Sequence, residues 1–179
     1  MSFENFLNNL KTKASELKTE ALKFKNKDFL NATMAGSALI SMADGVISHE
    51  EKQKMIKFIE NHDALSIFST TDVINAFQTY IKQLQFDKDI GQAKAFEALK
   101  KMEHNIPAAR LILRMVISIA ASDGDFDVHE KKMALLIAKE LSIDPAEFDL
   151  TWCILFGDNY WVRFDDNYIH RLTDTVDNV

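Results

Sequence analysis

The sequence predicts an all-α protein, a compact helical bundle of about seven to eight helices built from two duplicated helix hairpins. Only five Gly and two Pro occur in 179 residues, so long uninterrupted helices are expected. Apolar residues recur at helical spacing through residues 28–150, and no strong alternating strand pattern is found there. A third observation, one turn-and-cap pattern that occurs twice, indicates how the bundle is organised.

The duplicated pattern lies at residues 38–52 and 117–131, which align without a gap at a constant offset of 79 (123 − 44). The aligned pairs are Asp44 with Asp123, Gly45 with Gly124, Ser48 with Asp127, and Glu51 with Glu130. In each copy an apolar helix is followed by a Gly suited to the left-handed conformation of a helix C-terminus. Ser or Asp then caps the next helix, with Glu at the third helical position as in a capping box. Each copy is therefore predicted to form a helix hairpin.

Residues 1–27 are predicted to form one amphipathic helix, because their apolar residues alternate at steps of four and three. This seam consists of Phe3, Leu7, Leu10, Ala14, Leu17, Ala21 and Phe24. Lysines dominate the other faces, so the segment is locally basic in an acidic chain. Three interpretations stay open: a helix packed on the body or on a second copy, a peripheral contact with anionic lipid or a membrane partner, and a mobile arm.

Residues 28–150 form the predicted helical body. A first helix runs from Asp28 into the first turn, and a second covers residues 48–61. The later helix starts are marked by Thr70 or Thr71 with Asp72, by Asp87 or Asp89, by Pro107 and by Asp127, with Asp144-Pro145 as a further capped start.

Residues 151–179 differ in composition, since both Trp and two of the three Tyr lie there among Asp and Asn. Residues 153–156 and 160–164 are compatible with a small hairpin or with a short helix. The segment is interpreted as a docked extension, a partner-binding tail or a disordered end.

Composition and charge exclude several classes of function. A net charge of −6 and a pI near 5.4 argue against a protein that coats nucleic acid. Cys153 is the only cysteine, which excludes an intrachain disulfide and fits a reducing cytosol. The N-terminus has no signal-type apolar segment, and the most apolar run, residues 111–121, contains Arg114 and is too short to cross a bilayer. We therefore expect a soluble, cytoplasmic protein.

The sequence contains no recognisable catalytic motif. There is no Gly-rich phosphate loop, and an isolated Cys without a His partner makes no nucleophile, so the chain is not expected to be an enzyme. The Asp-x-Asp-x-Asp spacing at 123–127 is not an EF-hand, because Val128 replaces its Gly and Ala134 replaces its final Glu.

The acidic residues of the two turns remain unexplained by capping alone. An Asp just before each Gly meets the negative end of a helix dipole, and Asp125 and Asp127 crowd the second turn. Such carboxylates repel unless a cation, a basic side chain or water relieves them. We therefore predict that the two turns meet across a pseudo-twofold axis and share a metal site. Its ligands would be Asp44, Glu51, Asp123 and Glu130, with Asp125 or Asp127 assisting.

Oxygen-only ligation favours Ca²⁺, Mg²⁺ or Mn²⁺ over Zn²⁺. The competing interpretation is that both Glu residues serve only as capping partners and that the remaining acids are solvated.

The doubled segment, residues 42–51 and 121–130, resembles the TerB family of tellurite-resistance proteins, over roughly residues 1–150. The resemblance implies an all-helical bacterial cytoplasmic protein that acts with other products of the tellurite-resistance operon. These include a membrane component and calcium-binding TerD-type proteins. It also implies a metal site, which carries over to Asp44, Glu51, Asp123 and Glu130 only. The segment after about residue 151 departs from the family pattern.

Two functional hypotheses follow. The first is a non-enzymatic, divalent-metal-binding module in a membrane-associated resistance and stress-response complex, cytoplasmic or peripheral at the inner face of the membrane. The second is a metal-independent adaptor whose acidic face and basic N-terminal helix dock partner proteins. A direct enzymatic reduction of tellurite is disfavoured, because it calls for thiols or a redox cofactor.

Overall fold

The computed structural model describes residues 14–45, 47, 49–121, 126–148, 150, 162–165 and 168–171. Seven α-helices occur in these ranges, which confirms the predicted all-α bundle. They are α1 (Ala14–Ala21), α2 (Lys27–Ser41), α3 (His49–Asn61), α4 (Thr70–Phe86), α5 (Lys88–Lys100), α6 (Ile106–Ala120) and α7 (Val128–Glu140). Short 3-10 helices lie at Leu22–Phe24, Asp63–Leu65 and Pro145–Phe148, and a two-stranded hairpin follows them in the chain.

Helix α2 is the centre of the bundle and packs against α4, α5, α6 and α7. Residues 32–40 are buried on every face, including Thr33 and Ser37. Their hydroxyls donate to the carbonyls of the preceding turn, Thr33 to Phe29 at 2.9 Å and Ser37 to Thr33 at 2.8 Å. Buried polar groups are therefore hydrogen-bonded within the helix itself, which lets neighbouring helices surround it.

Helix α6 is the second buried helix and lies directly against α2. Gly36 allows a close approach, because a Cβ at that position would lie 2.8 Å from Cγ2 of Val116. Asn105 caps the helix by accepting from the Ala108 N–H at 3.3 Å, and Pro107 occupies its first turn as predicted.

The predicted helix starts at α4 and α5 are confirmed. Helix α4 begins at Thr70, and Ser69 caps it by accepting from the Asp72 N–H at 3.1 Å. Asp87 caps α5 by accepting from the Ile90 N–H at 2.9 Å. These local side-chain bonds satisfy backbone donors that no helix can satisfy for itself, so they fix helix boundaries from sequence alone.

The prediction of a single helix over residues 1–27 is wrong at its C-terminal end. Helix α1 ends at Ala21, and the extended Asn26 caps α2 by accepting from the Phe29 N–H at 2.8 Å. An Asn that can cap a following helix competes with continuation of the preceding one. Residues 1–13 lie outside the described ranges.

The described part of the N-terminal segment packs on the body. Leu17 and Ala21 are only 4% and 0% exposed and belong to the same core as α2 and α6. Glu20 Oε2 accepts from Nη1 of Arg114 on α6 at 3.5 Å. Of the three interpretations of this segment, packing on the body therefore describes residues 14–21.

After α7, Asp144 accepts from the Ala146 N–H at 2.9 Å and caps the 3-10 helix that Pro145 begins. Strands β1 (Val162–Asp165) and β2 (Tyr168–Arg171) then pair antiparallel, with Val162 opposite Arg171. The predicted partner segment, residues 153–156, lies outside the described residues, so the choice between a hairpin and a short helix there stays a prediction. Two residues connect β1 to β2, a connection length that hairpins favour.

Candidate acidic-turn site

The first turn follows the buried end of α2. The Met42 N–H donates to the Ala38 carbonyl at 3.1 Å, and Gly45 has a φ of +93°. This positive φ confirms the conformational role predicted for Gly45, since side-chain-bearing residues rarely adopt it. Asp44 is exposed beside it. Glu51 lies in the first turn of α3, and its side chain lies outside the described part of the chain.

The second turn is described from Phe126 onward, so Asp123, Gly124 and Asp125 lie outside the described residues. The predicted capping box is confirmed. Asp127 Oδ1 accepts from the N–H groups of His129 at 2.7 Å and Glu130 at 2.9 Å, and Glu130 Oε2 accepts from the Asp127 N–H at 2.9 Å. Two of the six predicted ligands are thus held rigidly at the start of α7.

A carboxylate that caps a helix keeps capacity for a cation. Each ionised carboxyl group offers about four lone-pair positions. The capping bonds use one oxygen of Asp127 and one of Glu130. The capping box therefore orients both groups, and it leaves the second oxygen of Asp127 unused by the cap.

Among the described side chains, no group of three or more His, Cys, Asp or Glu residues lies close enough to hold a metal ion. Among the predicted ligands, Asp44, Asp127 and Glu130 have described side chains. The side chains of Glu51, Asp123 and Asp125 lie outside the part of the chain that the structure describes.

The helices that carry the turns limit how far apart the turns are. The close approach of α2 and α6 lies at Gly36 and Val116, about five residues before each helix ends. Each helix end is then about 6–8 Å along its axis from that point, and the axes are about 8–10 Å apart. The two helix ends are therefore separated by about 8–10 Å if the helices run parallel and by about 16–17 Å if they run antiparallel.

Lys88 is a residue that the sequence analysis missed. Its Nζ lies 3.9 Å from the position that a Cβ on Gly45 would occupy, so the ammonium group stands at the first turn. The lysine starts α5 and is separated from Gly45 by two helices, so only the packing of α5 against α2 brings it there. A basic side chain at this place lowers the cost of a carboxylate at a helix C-terminus, which is one of the three forms of relief predicted for the acidic turns.

No helix in the described ranges combines the length and apolar character needed to span a membrane.

Comparisons with known proteins agree with the resemblance seen in the doubled turn. Residues 30–151 match the family model of Tellurite resistance protein TerB. The chain is 35% identical over 102 residues to "Tellurium resistance protein TerB" of Alcaligenes sp., an alignment covering 57% of this chain and 84% of the relative. No solved structure gives a significant match. Since the family model spans well over half of the sequence, the chain belongs to the TerB family.

Proposed function

We propose that this protein takes part in tellurite resistance as a non-enzymatic module whose two acidic turns bind one divalent cation, within a membrane-associated complex of tellurite-resistance proteins. Its family and the name of its relative support the resistance role. The observation that carries the metal proposal is the contact between the two helices that lead into the duplicated turns.

Two features of the packing support a pseudo-twofold relation between the hairpins. Gly36 aligns with Met115 at the repeat offset of 79, and it contacts the adjacent Val116, so α2 and α6 meet at nearly equivalent positions. In addition, α2 packs on α7 and α3 packs on α6, and a twofold exchange of the hairpins interchanges these two contacts. Equivalent contacts of this kind are expected when two copies of one unit pack about an axis.

The proposed cation is Ca²⁺, Mg²⁺ or Mn²⁺, because the candidate ligands supply only oxygen. Asp44 and Glu51 would come from one turn, and Asp123 and Glu130 from the other, assisted by Asp125 or Asp127. The capping box at α7 fixes the orientation of Asp127 and Glu130 before any ion arrives. A preorganised ligand set loses less conformational entropy on binding than a flexible one.

Lys88 provides a second test, because its ammonium group lies at the first turn, where we expect it to compete with a cation for the carboxylates of that turn. If the turns bind metal, Lys88→Gln should tighten binding, whereas Asp44→Asn with Asp123→Asn should abolish it. Lys94→Gln is the matched control, since Lys94 is an exposed lysine elsewhere on α5. The measurements are isothermal titration and thermal-shift series with Ca²⁺, Mg²⁺ and Mn²⁺. No response in the wild type, or an unchanged response in the Asp44/Asp123 double variant, removes the metal proposal.

The alternative is a metal-independent adaptor that docks other tellurite-resistance proteins, including a membrane component. Supporting it, Lys18, Lys23 and Lys25 are exposed on the N-terminal segment together with Leu22, which is 54% exposed. Exposed lysines around an apolar side chain are suited to an anionic partner or to peripheral contact at the inner face of a membrane.

Deleting residues 1–27 would test this poorly, because Leu17 and Ala21 belong to the core. Lys18→Glu with Lys23→Glu leaves the core intact. The adaptor hypothesis expects this variant to lose liposome flotation or pull-down of operon proteins while retaining its thermal stability. Unchanged flotation and pull-down would remove this face as the docking surface.

A further inference from the structure

A groove lies between the first half of α2 and the first half of α4, at the end of α2 opposite to the first acidic turn. Its volume is about 550 Å³, and it is open to solvent. Helix α2 contributes Lys27, Leu30 and Asn31, and the preceding Lys25 and Asn26 also line the groove. Helix α4 contributes Asp72, Asn75, Ala76 and Thr79, spaced at three and four residues, so they form one continuous stripe about 10 Å long.

The floor of the groove is apolar and firmly supported. Leu30 is 5% exposed, and Phe68 and Ala76 are partly buried against the core. The Phe68 ring stacks on Phe29 with centroids 6.4 Å apart, and Phe29 stacks in turn on Phe24 at 5.9 Å. These contacts hold Phe68 in place, so the concave shape exists before any ligand binds.

Hydrogen-bonding groups line the sides. The side-chain amides of Asn31 and Asn75 make no hydrogen bond to any other described residue. The Thr79 hydroxyl donates to the Asn75 carbonyl at 2.7 Å and so is already used within α4. Two amides, each with two donors and an acceptor, are therefore available to the backbone of a bound chain.

The charges at the rim favour an acidic ligand. Lys25 and Lys27 are exposed and form no ion pair with a described residue. The single acid of the lining, Asp72, accepts a 2.6 Å hydrogen bond from the Ser69 hydroxyl at the start of α4. The net charge of the lining is thus +1 in a protein whose net charge is −6. A local basic rim on an acidic protein selects anionic partners by charge complementarity.

We propose that this groove binds a short acidic peptide segment of a partner protein. An apolar side chain of the peptide packs on Leu30, Phe68 and Ala76, its backbone bonds to Asn31 and Asn75, and its carboxylates pair with Lys25 and Lys27. The inference rests on the adaptor form of the proposed function and names the partner surface for it.

A peptide fits this site better than a lipid surface does. A bilayer presents a flat array of headgroups, which can contact the lysines at the rim but cannot reach amides along the sides of a concave groove. A stripe of about 10 Å matches about three extended residues or two helical turns of a bound segment. Peptide-binding sites commonly combine an apolar pocket, hydrogen bonds to the peptide backbone and charged residues at the rim, as this groove does.

The test begins with random peptides of about twelve residues displayed on phage, selected on the full chain and counter-selected on Asn75→Trp. This substitution places an indole in the groove at an exposed position of α4. The expected result is enrichment of peptides that combine Asp or Glu with Leu or an aromatic residue. No enrichment, or enrichment of basic peptides, overturns the proposal.

Fluorescence polarisation with the enriched peptide then compares two variants with matched controls. Lys25→Glu with Lys27→Glu should weaken binding by about tenfold or more, and Asn75→Trp should do the same. The charge control is Lys94→Glu with Lys139→Glu, which reverses two exposed lysines elsewhere, and the bulk control is Gln85→Trp on another face of α4. Both controls should bind like the wild type. Equal losses in variants and controls overturn the groove as the site.

Vesicles of phosphatidylserine and phosphatidylcholine separate the membrane alternative. If the double lysine variant loses vesicle binding while Asn75→Trp changes neither vesicle nor peptide binding, the lysines serve a membrane surface and the peptide proposal is overturned.

Thermal shift with Ca²⁺ and Mn²⁺ on the same variants distinguishes the groove proposal from the metal proposal. If the groove variants lose peptide binding and keep the cation response of the wild type, the groove and the acidic turns are separate sites. If the wild type shows no cation response, only the metal proposal fails and the groove proposal is unaffected.

Discussion

Asp127 has an observed role as a helix cap and a proposed role at a cation site, and substitution can separate the two. Its carboxylate caps α7 through bonds of 2.7 and 2.9 Å, and it is also a candidate to assist a cation. Asn keeps the capping oxygen and removes the charge, whereas Ala removes both. The pair Asp127→Asn and Asp127→Ala therefore distinguishes a helix cap from a metal ligand.

The magnitudes follow from the capping geometry. Replacing an N-cap acid by Ala costs about 1 kcal/mol, while Asn caps as well as Asp and loses only the charge–dipole attraction, about 0.3–1 kcal/mol. For a chain of this size, each kcal/mol moves Tm by about 2–4 °C. Without metal, we expect Asp127→Ala to lower Tm by about 2–4 °C and Asp127→Asn to lower it by less.

With a divalent cation at about one hundred times Kd, binding stabilises the folded wild type by about 2.7 kcal/mol, which corresponds to a Tm increase of about 5–11 °C. If the Asp127 carboxylate contributes to the site, both variants lose most of this increase. The assay is thermal unfolding followed by circular dichroism, with and without Ca²⁺, Mg²⁺ or Mn²⁺.

Two results would refute the reasoning. Equal losses of metal-free Tm in the Asn and Ala variants would mean that charge, and not the hydrogen-bonded cap, stabilises the start of α7. A cation-induced increase of the same size in the wild type and both variants would exclude Asp127 from the site.

Three further predictions concern packing and titration. Gly91→Ala should destabilise the fold by about 1–3 kcal/mol in urea unfolding, because its Cβ would lie 2.6 Å from the α4 backbone, whereas Gly36→Ala meets only a side chain at 2.8 Å and should cost less. Arg110 lowers the pKa of Glu147 by hydrogen bonding and charge, so this pair stabilises the fold above the ordinary carboxyl pKa and the contribution disappears as pH falls through the lowered value. In Arg110→Gln, stability should change less between neutral and acidic pH, and an unchanged acid dependence would contradict this. Burial, and then nearby carboxylates, raise the pKa of Tyr80 above 10.0, so its phenol stabilises the fold below that pH and this is lost as pH rises through the raised value. Tyr80→Phe should remove the last phase of the phenolate absorbance titration, and loss of an earlier phase would contradict the shift.

Local side-chain chemistry explains which features could be predicted from sequence. Asp87, Asn105 and Asp127 each satisfy backbone donors within three residues, so their helix starts follow from short stretches of sequence. The positive φ of Gly45 follows for the same reason, since a helix end imposes it locally. Competition between two local preferences is harder to judge, and at Asn26 capping of α2 prevailed over continuation of the amphipathic helix.

Only those parts of the candidate site that depend on residues close together in sequence could be predicted. The sequence identified the acidic turns and the capping box of Asp127 and Glu130, which needs no tertiary contact. It did not identify Lys88, which reaches Gly45 only because α5 packs on α2. Nothing in the spacing between these two residues signals that contact, because no helical or strand period connects them.

By itself, the sequence determined a helical bundle and its capped helix starts, because propensity, capping and apolar periodicity act within a few residues. Tertiary structure alone decided that α2 and α6 meet at Gly36 and Val116, that Arg110 reaches Glu147 at 2.7 Å, and that α2 and α4 leave a groove between them. The physical reason is that such contacts depend on how the buried faces of the helices fit together across the whole core. Because burial of apolar area is non-directional, the apolar periodicity of a helix predicts which face is buried but not which helix it packs against.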